Sequence, residues 1–598
     1  MCKPPGPAYA GAMPPDPVAY TALGAASSPV FSADGQSLFH LRGAGLPQVW
    51  VLDFASSESR QLMAHDEKVA LLRRAPGDDR LIYGIDAGGD ERQQLWLWDG
   101  TSRPLTDAPT VIHGFGAWSP DGGQFSLTAN DRDAAHYDIL VLDPATGART
   151  RLHEGTHEGA AGPWHPDGNR MIAWTERSSG DIRPFILHRD GTVAALPRPA
   201  RDGGARYASL RWTLDGTAIE GLTDLVGDDM ALCRIDLETG TATVLHASPG
   251  RDVEAWSRSP GGALLATIEN DRGYAVLRVG SADGERPVVS GLPFGVVADL
   301  AWSPDGTRLA MVASSPTEPP GLWLWQDGTV LPVWRPDCAL PVQGFTLVEW
   351  ASMDGRRIPG WLAWPPGPVP AAGHPAVVWV HGGPASQARA NFRPDMQALL
   401  AQGYAVLMPN VRGSTGYGRA AMESDDREHR LDSVHDLAAG GRWLAAQPGI
   451  GPARVAVMGQ SYGGYMVLAA ITEHPALWRT AIDFYGIADF GTLLASTGPW
   501  RQQHRADEYG DPVRHRALFD RISPLRHVDR IAVPLLVLHG IRDPRVAIAE
   551  SEQLVEALRA RGKPVTYQVF DYAGHGFVRP DDRSRAYAAV AAHLAASL

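Results

Sequence analysis

Residues Arg454–Ile471 read RVAVMGQSYGGYMVLAAI, and this stretch decides the fold of the second half of the chain. Arg454–Met458 is a short apolar run rich in valine, the pattern of a strand buried on both faces. Tyr465–Ile471 continues as an apolar helical segment. Between them, Gly459-Gln460-Ser461-Tyr462-Gly463 is a G-x-S-x-G turn. Strand before and helix after is the context of a nucleophile elbow. The glycines allow a sharp turn and close backbone packing, and the turn lifts the Ser461 hydroxyl above the edge of a sheet.

Outward from this turn the same theme repeats. HPAVVWVHGG from His374, YAVLMPNVRG from Tyr404, AIDFYG from Ala481, VPLLVLHG from Val533 and VTYQVFDYAGHG from Val565 are further apolar runs that end in glycines or polar residues. Helical patterns separate them: MQALLAQG, LAAGGRWLAAQ, SEQLVEALRARG and the C-terminal SRAYAAVAAHLAAS. Buried strands alternating with helices predict a doubly wound, mostly parallel α/β domain over residues 340–598.

A serine hydroxyl is a weak nucleophile without a base, and the base needs a carboxylate to orient it. Asp543, in HGIRDPRV, and His575, in AGHGF, follow Ser461 in the order serine, acid, histidine that such a domain uses. Both lie just beyond the carboxyl end of a predicted strand, where open α/β sheets bind ligands. His381 and His539 precede glycines in tight turns and read as structural, while His435, His474, His504 and His527 read as surface or packing residues. A developing oxyanion needs donors aimed in advance. The N–H of Tyr462, next to the nucleophile, is one candidate, and that of Gly383, in the His381-Gly382-Gly383-Pro384 loop, is the other.

The first half has a different period. FSADG at Phe31–Gly35, WSPDG at Trp118–Gly122, WHPDG at Trp164–Gly168, WTLDG at Trp212–Gly216 and WSPDG at Trp302–Gly306 share one signature. Weaker copies at Arg74–Asp78 and Arg258–Gly262 fill the gaps, giving seven units 43 to 48 residues apart. Alternating apolar segments such as QVWVLD at Gln48 and DILVLD at Asp138 read as strands joined by tight turns. Four strands per unit at this period describe a β-propeller blade. A seven-bladed propeller is therefore expected over residues 26–335, after an N-terminal extension over 1–25. The charged pair Asp90 and Glu91 reads either as a lining of the channel that meets a substrate or, more commonly for such residues, as a solvated hairpin tip.

Composition closes off other classes. With 54 basic and 67 acidic residues the net charge is −13, which argues against nucleic acid or an anionic membrane surface as partner. The three cysteines, Cys2, Cys233 and Cys338, lack metal-ligand spacing and suggest neither a disulfide scaffold nor a zinc site. The N-terminus lacks the apolar core of a secretory signal, and no apolar run approaches a membrane span. A cytoplasmic location is the expectation.

Several long motifs now occur in one order: HGGP at His381–Pro384, NVRGSTGYG at Asn410–Gly418, GQSYGGY at Gly459–Tyr465, SPLRHVDRI from Ser523, HGIRDPRV at His539–Val546 and AGHGF at Ala573–Phe577. By these the chain resembles the prolyl oligopeptidase family of serine peptidases over nearly its whole length, most closely the acylaminoacyl-peptidase-like branch. The resemblance implies Ser461 as nucleophile, Asp543 as orienter, His575 as base, and Gly383 and Tyr462 as the oxyanion hole. It implies that Arg545 holds a substrate carbonyl, and that Phe490 and Trp500 wall the pocket for the residue at the scissile bond. It implies hydrolysis of short peptides near the N-terminus through an acyl-enzyme, with the propeller limiting access and no cofactor or metal. Paired glutamates of the kind dipeptidyl peptidases use cannot be placed from sequence. Dipeptidyl or prolyl oligopeptidase-type cleavage, and an esterase or amidase acting on a peptide-like metabolite, stay open. The expected partner is a short peptide or peptide-like substrate, and a homo-oligomer is possible.

Overall fold

The computed structural model describes residues 15–197 and 204–598. Cys2 and most of the N-terminal extension lie outside that range. From Ala25 to Trp334 the chain forms seven consecutive antiparallel sheets, each built only from strands adjacent in sequence. This is the seven-bladed propeller. Six blades have four strands. The sixth has three, Val253–Arg258, Leu264–Asp271 and Tyr274–Ser281, where the repeat predicts four. Its missing outer strand survives as a single bridge between Arg278 and Val288. Pro287 precedes that bridge, has no N–H to donate, and cuts the ladder short.

The repeated signature has a physical function in four of the seven blades. The hydroxyl of Ser32, Ser119, Thr213 or Ser303 donates to the aspartate two residues on, at 2.5–2.6 Å. That carboxylate accepts the N–H two residues later again, at Gln36, Gly123, Thr217 and Thr307. The glycine of the turn has φ near +70°, at Gly35, Gly122, Gly216 and Gly306, a conformation glycine adopts without steric cost. The tryptophan opening the signature ties blades together. Trp164, Trp212, Trp256 and Trp302 each donate their indole N–H to a backbone carbonyl of the preceding blade, at 3.1–3.2 Å. The ring closes without strand exchange. Ala26, Phe31 and Leu38 of the first blade pack against Ala310, Val312 and Leu322 of the last, and Arg308 donates to the Gly35 carbonyl at 2.6 Å.

The second half is one eight-stranded sheet. In spatial order its strands are Thr346–Ala351, Arg357–Ala363, Ala405–Pro409, His374–Val380, Ile450–Gln460, Thr480–Phe484, Leu535–Gly540 and Val565–Phe570. The first pair and its junction with Ala405–Pro409 are antiparallel, and the other neighbours are parallel. Helices Arg430–Ala445, Tyr462–Glu473 and Ala549–Ala560 cover one face of the sheet around Val457, Met466 and Leu554. Helices Pro394–Ala401 and Pro580–Ser597 cover the other around Met458, Leu399 and Val590. This is the α/β-hydrolase architecture. The periodicity of the sequence gives these five helices but not Phe490–Ser496, Pro499–Tyr509 and Arg516–Ile522, three short helices between the sixth and seventh strands in spatial order. At the other end of the chain, Pro17–Thr21 is a one-turn helix packed on Pro394–Ala401 and Pro580–Ser597. Tyr20 is fully buried there and donates to the Pro341 carbonyl at 2.6 Å.

Candidate active site

The strand Ile450–Gln460 turns into the helix Tyr462–Glu473 through Ser461, whose φ of 60° and ψ of −122° are strained for a residue with a side chain. The flanking glycines make the turn possible. A Cβ on Gly459 would lie 2.4 Å from the Gly463 carbonyl oxygen, and one on Gly463 would lie 2.3 Å from that of Val380. The Ser461 N–H is tied to the Phe484 carbonyl at 2.9 Å, so the elbow is anchored to the neighbouring strand.

Ser461, His575 and Asp543 converge from three strand ends. His575 Nε2 lies 2.9 Å from Ser461 Oγ, and Nδ1 lies 2.6 Å from Asp543 Oδ2. The other oxygen, Asp543 Oδ1, accepts the N–H groups of Arg545 at 2.8 Å and Val546 at 3.0 Å. Burial pushes the Asp543 carboxyl up, but the charge of His575 and hydrogen bonds from His539 and His575 outweigh it and hold the group well below the usual carboxylate range. The ring of Tyr485 packs on His575 with centroids 4.7 Å apart.

Ser461 opens onto a cavity of about 350 Å³ lined by Gly382, Gly383, Tyr462, Ile487, Leu493, Thr497, Val546 and three arginines, with Ser179 from the propeller. Gly383 and Tyr462 line the same cavity as the serine hydroxyl. Tyr462 opens its helix, so its N–H has no intrahelical acceptor. Behind it, the Tyr462 phenol is held in a buried ion pair that the motifs do not announce. Arg430 donates to Asp425 at 2.5 Å and to the Tyr462 hydroxyl at 3.0 Å, and that hydroxyl donates to Asp425 at 2.9 Å.

The histidines read as structural have structural partners. His381 contacts Ser414 Oγ at 2.9 Å, and His539 contacts Ser551 Oγ at 2.7 Å and the Val546 carbonyl at 2.9 Å. His504 packs against the propeller, 3.3 Å from Ser179 Oγ and 3.7 Å from Glu176.

Arg545 lines the cavity and donates to Glu91 of the propeller at 2.5 Å. Glu91 is thus an interdomain partner rather than a solvated hairpin tip. The two aromatic assignments change. Phe490 does not line the cavity: its ring is fully buried among Tyr465, Tyr509 and Phe519. Trp500 lines an adjoining recess instead, with His136, Glu158, Glu176 and His504. Both rings sit on short helices whose orientation depends on long-range packing, which local sequence does not encode.

That recess also holds two glutamates. Glu158 and Glu176 are directly opposite each other on neighbouring strands of the fourth blade, so their side chains share one face. Burial, reinforced by Glu158, pushes the Glu176 carboxyl up to about 7, and burial raises Glu158 as well.

The propeller also braces the histidine loop. Glu67 accepts from Tyr572 Oη at 2.7 Å, Arg579 at 2.8 Å and the Gly88 N–H at 3.0 Å. The Gly574 N–H donates to the Gly88 carbonyl at 2.9 Å, and a Cβ on Gly574 would strike the Gly89 carbonyl at 2.0 Å. The NVRGSTGYG motif is a second brace. Asn410 bonds both the N–H and the carbonyl of Ala388, and Arg419, just after the motif, pairs with Asp224 of the propeller at 2.8 Å.

With this geometry in hand, comparison with known proteins is decisive. The sequence is 31% identical to dipeptidyl aminopeptidase BIII of Pseudoxanthomonas mexicana over 555 residues, 86% of this chain and 77% of that protein. The sequence profile of the prolyl oligopeptidase family matches residues 390–598. The chain belongs to the prolyl oligopeptidase family. It is a serine peptidase of that family, with dipeptidyl aminopeptidase and acylaminoacyl-peptidase relatives. The human acylamino-acid-releasing enzyme is 27% identical over 238 residues, 38% of this chain and 32% of that protein. Among solved structures, a puromycin hydrolase superposes with a TM-score of 0.86 at 22% identity, covering 97% of this chain and 96% of that one. An acylaminoacyl peptidase in complex with a chloromethyl ketone superposes at 0.74 and 18% identity, over 96% of each chain. These two share the peptidase's fold. Among the described residues no helix is long and apolar enough to cross a membrane.

Proposed function

We propose that the protein is a serine exopeptidase that removes short pieces from the free N-termini of peptides. The observation that carries the chemistry is the hydrogen-bonded chain from Ser461 through His575 to Asp543 at the mouth of a cavity. His575 Nε2 takes the Ser461 proton as Oγ attacks the scissile carbonyl. Asp543 keeps the proton on Nδ1 and stabilises the imidazolium. The N–H groups of Gly383 and Tyr462 receive the oxyanion. Collapse expels the amine, which leaves with the proton from His575. Water, activated by the same imidazole, then attacks the acyl-enzyme, releases the acid and restores Ser461.

The free-N-terminus reading is supported by Glu158 and Glu176. Two carboxylates facing each other in a partly buried recess repel, and an ammonium between them relieves both. Arg545, beside Asp543, is placed to donate to a backbone carbonyl of the bound peptide. The propeller, braced on the histidine loop, limits access to short or unfolded chains.

The test is hydrolysis of alanyl-alanyl-p-nitroanilide against its N-acetylated counterpart, with Ser461→Ala as control. Preferential cleavage of the free amine, lost in Ser461→Ala, is expected. Preferential cleavage of the acetylated substrate would make the protein an acylaminoacyl-peptidase and leave the glutamate pair without this role.

A further inference from the structure

Three arginines line the cavity that contains Ser461: Arg501, Arg505 and Arg545. Two have partners. Arg505 donates to Glu508 at 2.6 Å, and Arg545 donates to Glu91 at 2.5 Å. Among the described residues Arg501 has neither a side-chain hydrogen bond nor an ion pair within 4 Å. Its backbone N–H donates to the Gly498 carbonyl at 2.8 Å. Burial and the like charges of Arg505 and Arg545 push its guanidinium below the usual arginine range, while Glu91 and Glu158 act in the other direction. Glu91, Glu158 and Glu176 act on it only through space, with no ion pair within 4 Å, and a half-buried cation without a direct hydrogen-bonded partner is costly. It is more unusual in a chain of net charge −13, where acidic partners are plentiful.

The rest of the lining says where a counter-charge would come from. Ile487, Leu493 and Val546 give the cavity an apolar wall beside the nucleophile, while no carboxylate is among the lining residues. A side chain attached next to the scissile carbonyl enters this space first, because that carbonyl must sit at Ser461 Oγ. An aliphatic stem packs on the wall, and a carboxylate at its end reaches the guanidinium. Glu158 and Glu176 occupy the adjoining recess with Trp500 and His504; their charges act on Arg501 through space, but neither carboxylate is in contact with it.

We propose that Arg501 is a specificity-determining residue, and that the preferred substrates carry Asp or Glu as the residue contributing the scissile carbonyl. This rests on the peptidase reading and names its substrate class. The guanidinium offers two parallel N–H donors to a carboxylate. A substrate with a neutral isostere leaves those donors unpaired, and discrimination of about 10- to 100-fold follows from a charge-assisted hydrogen bond. The preference falls as salt rises, to the extent that the pair is open to solvent.

The experiment compares kcat/KM for alanyl-glutamyl-, alanyl-glutaminyl- and alanyl-lysyl-p-nitroanilide on the full chain, Arg501→Gln and Arg501→Glu. The readout is the ratio within each protein, so the fraction of folded enzyme cancels. The wild-type glutamyl-to-glutaminyl ratio is expected at about 10 or more. It should fall to about 1 in Arg501→Gln, and Arg501→Glu should prefer the lysyl substrate. A wild-type ratio near 1, or a ratio unchanged in Arg501→Gln, overturns the proposal. So does an acid preference that appears only with glutamyl-alanyl-p-nitroanilide, one residue further from the bond. If none of the anilides is cut above the Ser461→Ala background, the peptidase reading itself fails, and the proposal with it.

Discussion

Removing Arg430 tests whether the buried ion pair behind the nucleophile holds the catalytic half together. Arg430 and Asp425 are both fully buried, and Arg430 contacts Asp425 at 2.5 Å, the Tyr462 hydroxyl at 3.0 Å and the Glu508 carbonyl at 3.2 Å. Arg430→Met keeps much of the aliphatic volume but leaves Asp425 with only the Tyr462 hydroxyl. Breaking a buried pair from one side costs about 3–5 kcal/mol. The cost depends on pH. Burial already raises Asp425 to about 6 although Arg430 opposes the shift, so without Arg430 the carboxyl titrates higher still. A carboxyl whose folded pKa lies above its unfolded value weakens the fold as pH rises between the two values. Arg430→Met should therefore lose more stability at pH 8 than at pH 5.5. Replacing both buried partners, as Asp425→Leu with Arg430→Met, should recover most of the loss, because a well-packed apolar pair leaves only the half-exposed Asp426, 3.5 Å from Arg430, without its cation. Urea unfolding followed by tryptophan fluorescence reads all three. A loss below about 1 kcal/mol for Arg430→Met at pH 8, or equal losses at the two pH values, would refute the reasoning.

Other outcomes follow from the same geometry. Asp543→Asn should lower kcat about 10³- to 10⁴-fold with KM little changed, measured on any cleaved anilide, because the orienting carboxylate acts on the base and not on substrate binding. Glu176→Gln should raise KM for a free-amine dipeptidyl anilide about 10-fold or more and leave the acetylated substrate unaffected, read from parallel Michaelis–Menten curves. Asp483 is fully buried with no side-chain hydrogen bond, and burial raises it to about 7 against the opposing charge of His539 and the backbone N–H of Gly486. Its charged form costs stability between about pH 4 and pH 7, so Asp483→Asn should stabilise the protein at pH 8 by up to roughly 4 kcal/mol and by far less at pH 5, measured by urea unfolding.

What the sequence made legible is what local geometry demands. The elbow at Ser461 can be read because only glycine tolerates the approach of Gly459 to Gly463 and of Gly463 to Val380. Asp543 and His575 can be read because a parallel sheet delivers its loops to one edge, so the ends of successive strands meet. The blades can be read because their turns recur at one spacing, and in four of the seven the turn is a hydroxyl bonded to an aspartate ahead of a left-handed glycine. The sixth blade shows the limit, since a proline two-thirds of the way through the unit removed a strand that the spacing still counts. The substrate pocket was not legible. Its walls come from short helices after Phe484 and from blade loops hundreds of residues away. Phe490 went into the core and Trp500 into a side recess, while Glu158 and Glu176 become a pair only through cross-strand register. Arg501 carries no motif at all. It stands out only once Arg505 and Arg545 are seen to have hydrogen-bonded partners while, among the described residues, Arg501 has no side-chain contact of that kind.

The most direct test of the account is covalent labelling with diisopropyl fluorophosphate, followed by peptide mass spectrometry and residual peptidase activity on one sample. The account predicts one adduct per chain, on Ser461, with activity lost in proportion to labelling, and labelling slowed about 10³-fold or more in His575→Ala. An adduct on a different serine, or peptidase activity that survives full modification of Ser461, would contradict it.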